Sequence, residues 1–153
     1  MKFYSVIFAH LRQLSGLQVQ DRVEEGFPIG VMGNTGLSKG DHLHFTCVEG
    51  LQGEPWTLEA MENFSPRPAL RQAGYFLDKG LFGIQALITT PWNCPEYLRK
   101  WKKVHNAFDV VPSDRRVNDS HYQIWWNRTK AGTVTYSGFD PAYGYCVIIS
   151  FEA

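Results

Sequence analysis

The segment from 42 to 48, His-Leu-His-Phe-Thr-Cys-Val, constrains this chain more than any other. Residues two apart on a strand project from the same face. His42, His44, Thr46 and Val48 therefore share one face, while Leu43, Phe45 and Cys47 share the other. A pattern of this kind calls for a sheet strand with an apolar core side and a polar groove side. The loop Gly33-Asn34-Thr35-Gly36-Leu37-Ser38-Lys39-Gly40 leads into it. Its glycines and Asn34 shape backbone rather than bind substrate, because Gly and Asn tolerate positive φ.

Other short strands are predicted around that one. Residues 3–10 alternate well enough for a strand and are followed by the turn-rich Leu14-Ser15-Gly16. Residues 17–23 and 27–32 read as two more, around the turn Glu24-Glu25-Gly26. Residues 104–111 have strand character. Residues 131–137 and 145–151 read as strands joined through Gly138-Phe139-Asp140-Pro141. The middle differs: 57–63 suits a short helix and 66–76 a further helical turn or two. Pro91, Pro95 and the basic Arg99, Lys100, Lys102 and Lys103 suggest an exposed connector and a solvated face. The expected fold class is mainly β, one antiparallel sheet domain over 1–153 with a short helical or irregular connector. A chain of 153 residues is long enough for one core.

Composition narrows the function. The formal net charge is zero, so nothing argues for a nucleic acid or an anionic membrane as partner. No segment approaches the roughly 20 apolar residues of a membrane span. Residues 1–8 resemble the opening of a signal peptide, but the apolar run stops at His10 with Arg12 close behind. That run is read as a strand, and the chain is expected to be soluble. The three cysteines, Cys47, Cys94 and Cys146, have no clustered spacing. Cys47 and Cys146 are expected as small buried residues in strands. A disulfide between them is the alternative, with no geometry in the sequence to support it.

The chemistry lies in His10 of Phe8-Ala9-His10-Leu11, in His42 and His44, and in the pair His105 and Asp109 of His-Asn-Ala-Phe-Asp. Imidazoles and carboxylates are ordinary zinc ligands, and two histidines with one carboxylate leave a fourth position for water, as in catalytic sites. A single histidine is more often a satisfied polar residue. Five such groups in three motifs are not so easily dismissed. His121 matches none of these motifs.

Read in the order 104–153 and then 1–50, the chain resembles the lysostaphin-type zinc endopeptidases. The matching run is His105 to Asp109, Ala131-Gly132-Thr133-Val134, and Tyr143-Gly144-Tyr145-Cys146-Val147-Ile148-Ile149. Phe8-Ala9-His10-Leu11, Val19-Gln20-Asp21-Arg22-Val23 with Gly26, Ile29-Gly30, Gly33-Asn34-Thr35-Gly36 and His42-Leu43-His44-Phe45 complete it. The motif order is that of a circular permutant: 1–50 is the family's C-terminal half, 104–153 its N-terminal half, and 51–103 joins them. Ala107, Gln20, Lys39 and Asp41 depart from the family pattern, and none of these changes removes a ligand.

The resemblance implies His44, His105 and Asp109 as ligands of one Zn²⁺ per chain, with His42 and His10 as catalytic non-ligand histidines. It implies His42 as general base, and His10 as partner of the water or of the tetrahedral oxyanion. The implied substrate is peptidoglycan peptide and the implied place of action the bacterial cell wall. A non-catalytic binding or scaffold module of the same fold is the competing reading. A monomer is expected, with a domain-swapped dimer as the alternative. Asp21 is read as a turn residue. Tyr143, Tyr145, Trp92, Trp125 and Trp126 are read as packing residues, with a groove wall as the alternative.

Overall fold

The computed structural model describes residues 1–78, 81–114 and 122–153; His121 lies outside them. The elements run β1 (Phe3–Leu11), β2 (Arg22–Val23), β3 (Pro28–Val31), β4 (Leu43–Glu49), a 3₁₀ turn (Leu51–Gly53), α1 (Leu58–Phe64) and α2 (Leu70–Leu77). They continue as β5 (Ala86–Thr90), α3 (Pro95–Trp101), β6 (Phe108–Pro112), β7 (Gln123–Trp125), β8 (Gly132–Asp140) and β9 (Gly144–Glu152). Seven strands form one antiparallel sheet in the order β2-β8-β9-β1-β4-β6-β5, while β3 and β7 form a separate pair. The architecture is mainly β with a few short helices, as the alternating segments predict.

Both faces of the central strands are covered. On one face Val6 and Phe8 of β1, Phe45 and Cys47 of β4, and Val147, Ile149 and Phe151 of β9 join the main core. Phe76 of α2 sits at its centre, with ring centroids 5.2 Å from Trp126, 5.6 Å from Phe45 and 5.9 Å from Phe151. On the other face Ile7, Ala9, Val48, Cys146 and Ile148 pack with Met61 of α1 and Tyr143. The polar side of β4 is therefore largely buried rather than an open groove wall: His44 and Thr46 are buried and Val48 is fully so. The helix responsible, α1, belongs to the connecting segment and is capped at its start by Thr57, whose side chain accepts from Ala60 N–H.

Cys47 and Cys146 lie on opposite faces of the sheet, and all three cysteines are free. The two ends of the chain are hydrogen-bonded neighbours. Lys2 N–H donates to Ala153 O and Ala153 N–H to Lys2 O, both at 2.9 Å, and Phe3 pairs with Glu152 in the ladder.

Some segments depart from expectation. Of 17–23 only Arg22 and Val23 are strand, because Gln18 N–H bonds Asp21 Oδ2 at 2.8 Å and Gln20 takes a positive φ of 79°, closing a turn. The strand expected from Val104 begins only at Phe108. The connector is more ordered than its prolines suggest: β5 pairs with β6, and α3 starts with Pro95 in its first turn, where the missing N–H costs nothing. The β8–β9 connection comes after Asp140, whose Oδ2 accepts from the N–H groups of Ala142 and Tyr143. No described helix is long and apolar enough to cross a membrane.

Candidate metal centre

Strand register accounts for half of the cluster. In the β4–β6 ladder His44 stands directly opposite Asp109, and across the other edge of β4 it pairs with Ala9 of β1. Side chains opposite each other in an antiparallel pair lie about 5 Å apart at Cβ. His44 Nδ1 accordingly comes within 3.7 Å of Asp109 Oδ1.

His105 is held by the connector rather than by the ladder. Its carbonyl accepts from Asn93 N–H at 2.9 Å, and its Nδ1 lies 3.0 Å from Pro91 O. A carbonyl only accepts, so Nδ1 carries the proton and Nε2 keeps its lone pair. That Nε2 lies 3.3 Å from Asp109 Oδ1. The ring of Tyr97, from α3, covers His105 at 4.5 Å between centroids.

His10 reaches the site through a backbone irregularity. Strict alternation along β1 would send it to the main core with Val6 and Phe8. The β1–β9 register instead shifts between Phe8 and Leu11, and His10 takes a φ of 61°. A bulge of this kind re-aims a side chain. Its N–H donates to Tyr143 O at 2.8 Å, and its Nδ1 lies 2.6 Å from Thr35 O. Thr35 is locked in turn: Oγ1 donates to Leu11 O at 2.5 Å and accepts from Tyr145 N–H at 3.1 Å. This clamp needs two glycines in close approach. A Cβ on Gly36 would lie 2.3 Å from Gly144 N, and one on Gly144 2.3 Å from Thr35 Oγ1.

His42 Nδ1 lies 2.8 Å from Gly40 O, and its Nε2 faces Asp109 Oδ1 at 3.4 Å. The His10 ring sits 4.9 Å from His42 and 5.6 Å from His44, centroid to centroid. All five residues singled out in the sequence thus come together in one chain. Ligand atoms of His44, His105 and Asp109 lie within 4.8 Å of one another.

The electrostatics favour a bound cation. Burial, then the neighbouring His42, lowers the His10 pKa to about 4. Burial also puts His44 well below the ordinary imidazole range. Burial alone would raise Asp109, but the His105 and His42 imidazoles beside it outweigh that and hold the carboxyl below its usual range. Lone pairs from His42 and His105 thus converge on an ionised carboxylate oxygen. Asp109 Oδ1 is buried and has no hydrogen-bond partner meeting ordinary geometry. Such an arrangement calls for a positive charge, either a shared proton or a metal ion. The edges of a tetrahedral zinc site are about 3.3–3.5 Å for ligand bonds near 2.0–2.2 Å. The 3.3 Å separation fits that size, the 3.7 Å one is slightly longer, and all three ligand atoms lie within 4.8 Å of one another.

Residues 2–55 match the family model described as Peptidase family M23. Comparison with curated proteins and with solved structures gave no significant match. The matched segment carries His10, His42, His44 and the glycine loop. His105 and Asp109 lie outside the matched range, and the β4–β6 pairing brings them to it. The His44, His105 and Asp109 group resembles a zinc site and could bind a metal.

The site opens into a cleft of about 850 Å³. Tyr143 lines it, with its ring against His44 at 5.1 Å, and its hydroxyl donates to Glu62 and accepts from Asn106 Nδ2 at 2.8 Å. Of the other aromatic residues considered, Trp126 is core, Trp92 and Tyr145 pack against it, and Trp125 is on the surface away from the cleft. Sequence reasoning missed Glu62, Tyr97 and the Pro91 carbonyl, all supplied by the connector. The helix signals at Pro95 and Glu96 were the available pointer to Tyr97.

Proposed function

We propose that the chain is a zinc-dependent endopeptidase that hydrolyses peptide bonds of bacterial peptidoglycan. The observation that carries this reading is the convergence of His44, His105 and Asp109 on one buried, unpartnered carboxylate oxygen at the floor of a cleft. The substrate follows from the M23 match. His44, His105 and Asp109 would hold the ion. A zinc ion there would supply Lewis acidity and bring the pKa of water to about 7.

The remaining steps belong to the chain. His42 is fixed through Nδ1 by Gly40 O and turns Nε2 toward the cluster, so Nε2 can take the proton of the attacking water and pass it to the leaving amine. His10 is neutral, with Nδ1–H committed to Thr35 O. Its Nε2 therefore accepts a hydrogen bond and suits orienting the water; holding an oxyanion would require a proton it does not carry. The cleft wall of Tyr143 and Tyr97 limits water around the ligands.

The motif order is read as a circular permutation, supported by the hydrogen-bonded neighbourhood of residues 2 and 153. Joining them would close β9 and β1 into a hairpin. A hairpin tip is where a break disturbs fewest contacts.

Mass analysis of peptidoglycan digested by the zinc-loaded protein tests the activity. New peptide amines and carboxylates are expected, and His42→Ala should lose them while keeping its zinc. Intact peptides, or new reducing sugar ends alone, would overturn the reading.

A further inference from the structure

Two distant parts of the sequence meet at the mouth of the cleft. Lys39, in the loop before β4, and Lys100 and Trp101, at the end of α3, all line it. The Lys39 ammonium lies 4.5 Å from the centroid of the Trp101 ring and the Lys100 ammonium 5.4 Å from the same ring. Among the described residues neither lysine makes an ion pair with a carboxylate. The other charges lining the cleft are otherwise engaged. Glu62 pairs with Lys103 at 3.8 Å and accepts from Tyr143, Asp109 faces the imidazoles, and Asp41 has an interaction of its own.

Two cations drawn to one indole repel each other, and the ring's attraction offsets this only in part. An anion set between them would relieve the repulsion. The position is tied to the metal cluster by a row of rings: His105 to Tyr97 at 4.5 Å, then Tyr97 to Trp101 at 6.2 Å. Two such steps span at most about three residues of extended peptide.

We propose that Lys39, Lys100 and Trp101 form a specificity subsite for a carboxylate carried by the peptide substrate, within about three residues of the bond that is cut. This rests on the peptidase reading above. The lysines bind the carboxylate, and the indole holds both ammonium groups beside it. A peptide carboxylate is favoured over an anionic cell-wall polymer because the three residues line the same cleft as the ligands.

The test is binding to the zinc-loaded full chain by calorimetry, so that it reads out whether or not hydrolysis occurs. The probes are a stem tetrapeptide with its free C-terminal carboxylate, the same peptide amidated at that end, and its counterpart with a side-chain carboxylate amidated instead. One amidation is expected to weaken binding about fivefold at low ionic strength, the scale of one or two exposed ion pairs. Which amidation does so identifies the carboxylate. The combined K39Q and K100Q variant should lose the discrimination while keeping its zinc, and K39R with K100R should retain it. Equal binding of all three peptides, discrimination that survives the double glutamine variant, or binding only of an anionic cell-wall polymer would overturn the proposal. Absence of peptide hydrolysis despite discriminating binding would instead count against the peptidase reading.

Discussion

Gly144→Ala tests how the fold positions His10. The residue has a φ of 67°, and an added Cβ would lie 2.3 Å from Thr35 Oγ1 and 2.5 Å from both Thr35 C and O. Two costs arise. A left-handed backbone with a side chain costs about 1 kcal/mol or somewhat more. Forcing backbone atoms apart in a packed region costs about 1–3 kcal/mol. Together they destabilise by about 2–4 kcal/mol, a fall in Tm of about 5–15 °C for a chain of this size. Gly26→Ala separates the two, since Gly26 has a φ of 83° but nothing within 4 Å of its Cβ position. It should show only the backbone cost, about 1 kcal/mol. Among the atoms displaced by the added methyl is Thr35 O, the acceptor of His10 Nδ1–H. None of His44, His105 and Asp109 depends on it. Calorimetric Tm, zinc content and peptidoglycan hydrolysis should therefore separate in the Gly144→Ala variant, with Tm lowered, zinc retained and hydrolysis lost. A Tm within about 2 °C of the parent, or hydrolysis unchanged, would refute the clamp.

Three further outcomes are expected. A chain in which residue 153 is joined to residue 2 by a two-residue turn and which is reopened between Gly53 and Glu54 should fold and bind zinc; failure of the purified chain to fold would argue against the permutation. Burial pushes the Cys47 and Cys146 thiols up to about 12, so only the half-buried Cys94 should react with a thiol reagent at pH 8 before unfolding, and rapid native reaction at a second thiol would contradict the packing. The folded pKa of His10, about 4, is below its unfolded value of 6.5, so the unfolded chain binds the extra proton and stability is lost as pH falls through that window. Metal-free protein should lose about 3 kcal/mol from this group between pH 7 and 4, and denaturant titrations of His10→Gln should lack that share; an identical pH profile would refute it.

The sheet and the cluster were legible because both rest on short-range patterns. The alternation of 42–48 places His44 on the face opposite Phe45, and the four-residue spacing of His105 and Asp109 keeps them together. Tertiary partners supply what the sequence does not show. Nothing local indicates that β6 pairs with β4 in the register that sets Asp109 beside His44. Nor does alternation place His10 correctly, since a bulge at positive φ overrides it. Pro91 and Pro95 suggest an exposed connector in the sequence, although Pro95 opens α3. Leu87 and Ile88 are half exposed on an edge strand, which weakened the alternation that would have marked β5. The hydrogen bond from Tyr143 to Glu62 spans 81 residues, beyond any local pattern.

The central claim is that the two ends of the chain build one metal centre from His44, His105 and Asp109. Zinc per chain, measured on purified protein after equilibration with zinc and removal of excess, tests it most directly. About one equivalent is predicted for the parent and for His42→Ala and His10→Ala, with loss in His44→Ala, His105→Ala and Asp109→Ala. No zinc in the folded parent, or one equivalent retained by the three ligand variants, would contradict the account.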